Sequence, residues 1–403
     1  RRRRHTRYQS LSRGLGDVYK RQVETGIGYT DNVFFTRNDK TGDGIWRVAP
    51  RVELSRDGED LDLKLYGDAE IGRYFSEDRE NYEDFRLGTD FGYSVGAATS
   101  EDRDEIFGGL SFAREHEGRD SPDDINGREP TVYHNLLSYL GYAFNMEEWG
   151  ARLGATFQRL NFDDVDGFGG TEINNDDRDR DLYTLGLRVG KEVSRGWEVF
   201  GQGFGDWRDY DQKTDDFGLE RSSRGVAVAG GVRYQPGPAL DLEVLLGLLH
   251  QDYDESTFDS TTTPDVGFLM NWRPSRSTRV LAGLDRSIEE TTDPSASGIV
   301  ATSANLNLAK RIRPDLSLVA GVDYTFDDYE GSGREDQYWG ADAGLRHYFL
   351  PNLYIGPSYR FEARDSNEPD FDFDNHQILL NLGAKLNEAY DAEVTEFTEP
   401  NLD

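Results

Sequence analysis

Between Val23 and Leu386 the chain alternates long acidic connections with very short ones, and each stretch of ten to sixteen residues between them reads as a β-strand. A tilted strand needs only about 9 to 11 residues to cross a bilayer, and a membrane barrel sets tight turns at one rim and long loops at the other. The rhythm therefore predicts an all-β fold: a transmembrane antiparallel up-and-down β-barrel. A soluble all-β fold is the alternative.

Composition alone points elsewhere. A chain of 403 residues with 30% charged residues, a net charge of -32 and a mean hydropathy of -0.74 has the polarity of a disordered protein. Yet Phe, Trp and Tyr make up 12% and recur along the whole length, which disordered acidic chains do not show. No stretch reaches the 18 apolar residues of a membrane helix. A barrel escapes that test because its lumen-facing residues dilute the hydropathy.

Alternation is clearest from Leu61 to Ile71, where Leu61, Leu63, Leu65, Ala69 and Ile71 interleave with Asp62, Lys64, Tyr66, Asp68 and Glu70. Period two puts the two sets on opposite faces. Eighteen strands are read, starting near Val23, Gly44, Glu59, Asn81, Asp102, Thr131, Glu148, Arg178, Gly196, Arg221, Ala239, Thr263, Ser277, Ser297, Asp315, Asp336, Asn352 and Phe373, with sixteen as the other even count. Connections after even strands are turn-like, such as Asp57-Gly58 and Pro236-Gly237-Pro238, while those after odd strands are long and Asp-rich, such as Glu117 to Pro130 and Asp163 to Arg180. Trp149, Trp197, Trp272, Phe349 and Tyr354 beside the short turns, and Tyr74, Phe162, Trp207, Tyr253, Tyr324 and Tyr338 toward the long loops, are read as two interfacial girdles. Faces in Tyr133 to Phe144 and Trp197 to Trp207 stay open.

The ends fall outside the pattern. Residues 1–22 are basic, lack an apolar core and show no alternation, so they read as a non-native or disordered leader, with any signal peptide lost upstream of Val23. Residues 387–403 read as an acidic flexible tail.

Placing one strand face inward predicts a lumen lined by Arg47, Arg51, Lys64, Arg86, Arg152, Arg188, Arg346 and Arg360, with Glu53, Asp62, Asp68, Glu70, Asp90, Asp285, Asp323 and Asp342 among the acids. The signs nearly balance, which implies weak charge selectivity or selectivity set by the loops. Whether the lumen is open or plugged is left open.

The opening VETGIGYTDNVFFTRNDKTGDGIWRVAPRVEL and the following LDLKLYGDAEIGRYF carry a resemblance. Together with the repeated strand and loop units across Val23 to Leu386, they resemble the bacterial outer-membrane proteins called putative β-barrel porin 2. The resemblance implies a Gram-negative outer-membrane protein linked to exopolysaccharide export or general porin activity. It also implies outer-membrane lipid, lipopolysaccharide, the barrel assembly machinery and polysaccharide as partners. Two departures stand out: the lumen is not the strongly basic one that an exported acidic polymer calls for, and the last strand, His376 to Leu386, lacks a terminal aromatic assembly signal.

Other chemistry finds little support. There is no cysteine, and His5, His116, His134, His250, His347 and His376 show no ligand spacing, so no metal or cofactor is expected. The basic leader is not read as binding nucleic acid. Gly92-Tyr93-Ser94-Val95-Gly96 matches a nucleophile-elbow pattern but lies within a strand, with no helix after it. His116 beside Glu115 and His376 beside Asp374 are the remaining candidates for a barrel hydrolase. Asp370, Asp372 and Asp374, like Asp163, Asp164 and Asp166, cluster carboxylates without the further ligands and Gly of an EF-hand loop. The expectation is a passive conduit without catalysis, with a plugged structural or adhesive barrel as the alternative and a hydrolase as a third.

Overall fold

The computed structural model describes residues 16–96, 103–121, 123, 127–146, 148–167 and 170–386. Seven strands come first: β1 (Gly16–Thr30), β2 (Asp43–Asp57), β3 (Leu61–Tyr74), β4 (Tyr82–Val95), β5 (Asp104–His116), β6 (Val132–Met146) and β7 (Trp149–Phe162). A small hairpin, β8 (Val165–Asp166) and β9 (Glu172–Ile173), lies in the next loop. The wall resumes with β10 (Arg180–Ser194), β11 (Trp197–Tyr210), β12 (Ser223–Gly237), β13 (Leu240–Tyr253), β14 (Thr261–Ser275) and β15 (Thr278–Glu289). It ends with β16 (Ile299–Arg313), β17 (Leu316–Tyr329), β18 (Glu335–Leu350), β19 (Leu353–Ser366) and β20 (Phe373–Leu386). Apart from β8 and β9 these form one 18-stranded antiparallel sheet, and pairing of β1 with β20 closes it.

Closure removes the open edges that a bilayer cannot tolerate, since no water is present there to satisfy unpaired backbone groups. Following the register once round the wall returns to β1 about 22 residues along, which gives a strand tilt of about 40° and a wall roughly 35 Å across between backbones. That is wide enough for an aqueous interior unless loops fill it.

Every expected strand is present, and all but the first start within two residues of expectation. The exception is β1, which begins at Gly16: Arg21 and Gln22 pair with Leu386 and Lys385 of β20, so the wall takes in the end of the segment set apart as a leader. Residues 1–15 and the tail 387–403 lie outside the described residues. Short turns cluster at one rim, where five strand pairs slip register at Glu192/Ser194, Tyr234/Gly237, Trp272/Ser275, Arg311/Arg313 and Tyr348/Leu350. Such bulges tighten the twist locally and bring the chain round in two or three residues. Gly196 takes φ 76 in one of these turns, a conformation that favours glycine.

Directly paired residues share a face, so the register carries one face through all the strands. Its outward set is apolar and exposed: Leu87, Leu140, Val228, Leu246 and Leu248 are each more than half accessible. With strands of 12 to 16 residues, the wall is longer than a bilayer crossing needs. The surplus lies at the long-loop end, where the outward face turns charged with Arg73 against Glu83 and Arg159 between Asp181 and Asp211. Trp149, Trp197, Trp272, Phe349, Trp207 and Tyr324 stand on the outward face as girdle residues do. Tyr354, Tyr74, Phe162, Tyr253 and Tyr338 do not: the register turns them to the opposite face. The girdle reading used height along each strand and ignored parity.

Candidate functional site

The inner surface is identified by side chains that bridge strands which do not pair with each other. Arg188 on β10 reaches past β11 and β12 to Glu243 on β13, with Nη1 and Nη2 donating to its two carboxylate oxygens at 2.7 and 2.9 Å. Arg346 on β18 comes within 4.0 Å of Glu24 on β1, past β19 and β20. Such chords are short only on the concave side of a curved wall.

The register puts Arg47, Arg51, Glu53, Asp62, Lys64, Asp68, Glu70, Arg86 and Asp90 on that face. It puts Arg152, Arg188, Asp285, Asp323, Asp342, Arg346 and Arg360 there as well. Most of the bases are held by acids. Arg47 lies 3.7 Å from Glu24 and 3.6 Å from Glu70, Lys64 sits between Glu53 and Asp90 at 4.0 and 3.9 Å, Arg86 binds Glu115 at 3.0 Å and Arg360 binds Glu362 at 2.7 Å. Arg51 faces Asp68 across the strand pair, and Asp62 Oδ1 accepts from the Gly58 N–H in the turn. Arg152 and Arg188 also lie over the rings of Phe107 and Phe200 at 3.7 and 3.5 Å. Rings of Tyr66, Tyr139 and Phe107 line the same wall.

At the long-loop rim the described residues of the connection between β5 and β6, 117–121, 123 and 127–131, reach over the mouth. Its base is closed by Glu117 N–H to Thr131 O at 2.7 Å. Arg119 chelates buried Glu80 beside β3 at 2.5 and 2.9 Å, and Arg364 on β19 donates to Asp120 O at 3.3 Å. Asp123 Oδ1 accepts from Thr292 N and Oγ1 at 3.0 and 2.9 Å, in the loop between β15 and β16. The two loops rise from almost opposite parts of the wall, and Arg208 on β11 donates to Ile288 O at 2.8 Å where the end of β15 leans inward, so the contact lies over the opening. Connection 163–179 joins it through Arg178, which binds Glu117 at 2.5 and 2.9 Å and stacks on Phe162 at 4.1 Å.

Asp123, Arg178, Arg180, Tyr210, Arg221, Glu290 and Thr292 line a cleft where these loops meet. Arg221 donates to Ala296 O and Asp293 O at 2.9 and 3.0 Å and to Asp215 at 2.8 Å. Burial pushes the Glu290 carboxyl up, but Arg208, Arg180 and the Tyr210 hydroxyl outweigh it and hold the group below its ordinary value. Burial acts unopposed enough at Asp177 to raise it, although the Asp216 N–H pulls the other way. Sequence reading passed over these residues. The available signal was arginines set among Asp and Glu in long loops, at Arg119, Arg178 and Arg221: a guanidinium with five donors is suited to tying several acceptors together.

The hydrolase candidates fare differently. His116 Nδ1 lies 2.8 and 3.0 Å from the Asp84 oxygens and its ring stacks on Tyr82, but among the described residues Asp84 is its one hydrogen-bonded side chain. Ser94 is at the other end of β4 from Asp84, about 33 Å away at 3.3 Å per residue. His376 faces outward against Tyr359 at 2.7 Å, and His250 bonds Thr262 at 2.7 Å with Asp252 3.3 Å off. The His116 and His376 N–H groups donate to Asp84 Oδ1 at 3.0 Å and Asp31 Oδ1 at 2.7 Å, so neither is free to stabilise an oxyanion. Asp372 and Asp374 pair with Arg37 and Lys40 and are not free for a cation. No group of three or more metal-ligating side chains occurs among the described residues.

A search of curated proteins returns no match. Among solved structures, the chain is similar to the outer membrane protein OpdK of Pseudomonas aeruginosa, at 13% identity over 92% of this chain and 99% of that one, with a TM-score of 0.46. OccAB4 of Acinetobacter baumannii is similar at 11% identity over 92% and 98%, TM-score 0.45. The siderophore receptor PirA of Acinetobacter baumannii is similar at 8% over 93% and 81%, TM-score 0.44. The family model described as putative beta-barrel porin 2 matches residues 18–386, nearly the whole closed wall, and the chain belongs to that family of porin-like barrels of the bacterial outer membrane.

Proposed function

We propose that the barrel is a passive conduit for small polar solutes, lined by the charged side chains of the concave face and narrowed at its outer mouth by segment 117–131. The observation that carries this reading is the contrast between faces: charged groups turn to the concave side through the span where the outward side is apolar. A packed lumen would leave those charges desolvated at a cost of several kcal/mol per unpaired ion, whereas water in the lumen removes that cost. The conduit has no catalytic step. Its surroundings are outer-membrane lipid and lipopolysaccharide, and its insertion relies on the barrel assembly machinery.

Polysaccharide export is the more specific version. The concave wall is not strongly basic, which fits a neutral or weakly charged chain better than a polyanion. A second reading, a plugged structural barrel, draws on the anchoring of segment 117–131 to opposite sides of the mouth. Planar-bilayer conductance of the refolded full chain, repeated with neutral and charged oligosaccharides, separates these. Steps blocked by sugar support a conduit that admits carbohydrate, steps indifferent to sugar support small-solute diffusion, and a folded barrel without conductance would favour the plug.

A further inference from the structure

One seam of the wall is only half closed. β14 and β15 pair from Ser275 and Thr278 up to Phe268 and Leu284, and the ladder stops there, although β14 continues outward to Thr261 and β15 to Glu289. Over that length β14 keeps its pairing with β13, and β15 keeps its pairing with β16. Gly267 and Gly283 flank the last pair, and glycine within a strand lets the backbone bend away from its neighbour.

Above the seam β15 and β16 turn into the barrel. By register Arg286, Ile288 and Val300 belong to the outward face, whereas Ala227, Leu249 and Thr263 belong to the concave face. Yet Ile288 and Val300 pack with Ala227 and Leu249 in one buried apolar cluster, and Arg286 Nη1 donates to Thr263 Oγ1 at 3.2 Å. An outward face meets a concave face only where the sheet overlaps itself. The outer half of the β15–β16 hairpin therefore lies inside β12 to β14. Stacked sheets stand about 10 Å apart, so the overlap takes about that much from the bore. The hairpin is held by Arg208 and Tyr210 on β11, which both donate to Glu290, the hydroxyl at 2.5 Å.

Backbone geometry explains why the hairpin tucks in. The bond from Arg273 N–H to Ala239 O turns the odd residues of β14 toward β13, so Thr262, Pro264 and Val266 point their backbone groups at the seam. In β15 the bond from Arg311 N–H to Ser277 O likewise leaves Arg286 and Ile288 facing it. Continuing the register beyond Phe268 and Leu284 would set Val266 against Arg286 and Pro264 against Ile288. The ladder donor to Ile288 O would then be the N–H of residue 264, which proline lacks. In the tucked arrangement Arg208 Nη2 serves that carbonyl at 2.8 Å.

We propose that the outer half of the β15–β16 hairpin, residues 285–303, is a gate. Tucked, it narrows the conduit; zipped onto β14, it completes the wall and widens the bore. Pro264 biases the seam toward the tucked form, and Arg208 with Glu290 latches it. Zipping pairs backbone groups of Thr262, Val266 and Arg286 that are costly to leave unpaired at a lipid boundary, which offsets part of the apolar packing that opening gives up. The gate rests on the reading of the barrel as a conduit.

The test is single-channel recording of the full chain in planar bilayers, with folding checked by heat-modifiable migration. The natural chain should rest at a low level with brief steps to a higher one. Pro264→Thr restores the missing donor and should raise occupancy of the higher level severalfold. The chain has no cysteine, so the pair D265C/S287C introduces the only thiols, and the continued register sets these two positions face to face. Oxidation should join them and hold the higher level, and reduction should release it. A proline variant no more open than the natural chain, thiols that stay free under oxidant, or a joined pair that conducts at the low level would each overturn the gate and leave the conduit standing. Folded barrels that never conduct, the joined pair included, would overturn the conduit and the gate with it.

Discussion

Asp123, between β5 and β6, takes three hydrogen bonds from Thr291 and Thr292 on the far side of the mouth, at 2.9 to 3.3 Å. The contact ties together two loops separated by nearly half the wall. Asp123→Ala removes the acceptor for all three donors and releases segment 117–131 at that end. Single-channel conductance should rise and block by large sugars should weaken, with the barrel's melting behaviour nearly unchanged. Unchanged conductance would mean that the segment does not limit the passage.

Arg178 and Glu117 are both about nine-tenths buried, and the guanidinium satisfies the carboxylate with two charge-assisted bonds. Arg178→Met leaves Glu117 charged, buried and unpaired, which costs about 3 to 5 kcal/mol. The loss should appear as rapid protease cleavage within 117–131 and 163–179. The double variant R178M/E117Q should recover much of the protection.

Leu246 is 65% exposed on the outward face of β13, in the apolar band. Leu246→Arg should destabilise the membrane-folded barrel by about 2 to 4 kcal/mol, the range for a lipid-facing arginine near the midplane. Ser303→Arg on the concave face should cost far less. Urea titration of folding into lipid vesicles measures both, and equal losses would contradict the face assignment.

Acid should act on the mouth in two stages of opposite sign. Glu290 is held below its ordinary value, so its stabilising contribution is complete above the unfolded carboxylate range and disappears as pH falls through the lowered folded value. Asp177 is raised, so its charged form weighs against the folded loops at neutral pH, and that penalty is relieved as pH falls through the raised value. Mild acid should therefore leave the loops 163–179 and 290–298 at least as protected from hydrogen exchange as at neutral pH. Protection of the 290–298 loop should fall only below the usual carboxylate range. Loss of protection beginning near neutrality would place a different group in control.

The strand count, the alternation of short and long connections and the two-sided character of strands such as Leu61 to Ile71 were legible because strand side chains repeat with period two and turns need particular residues. Parity alone could not assign Tyr133 to Phe144 or Trp197 to Trp207, where large apolar side chains fall in both sets. Pairing resolves them: Tyr133 and Tyr139 face the concave side with Leu136 and Leu140 outside, and Phe200 and Phe204 face in with Trp197 and Trp207 out. Reading Tyr354 or Phe162 as girdle residues failed because nearness to a rim says nothing about face. The loop network was hidden for another reason. Asp123 meets Thr292 across 169 residues of chain, and no local pattern encodes which acidic loop will meet which arginine.

By itself, then, the sequence determined that this chain closes into an outer-membrane barrel and which side chains share a strand face, since backbone geometry and the bilayer's intolerance of unpaired amides leave few other solutions. Only the tertiary structure decided which loops meet over the mouth and which wall charges lie close enough to pair. Those depend on distances between strands far apart in the chain, set by barrel closure and shear.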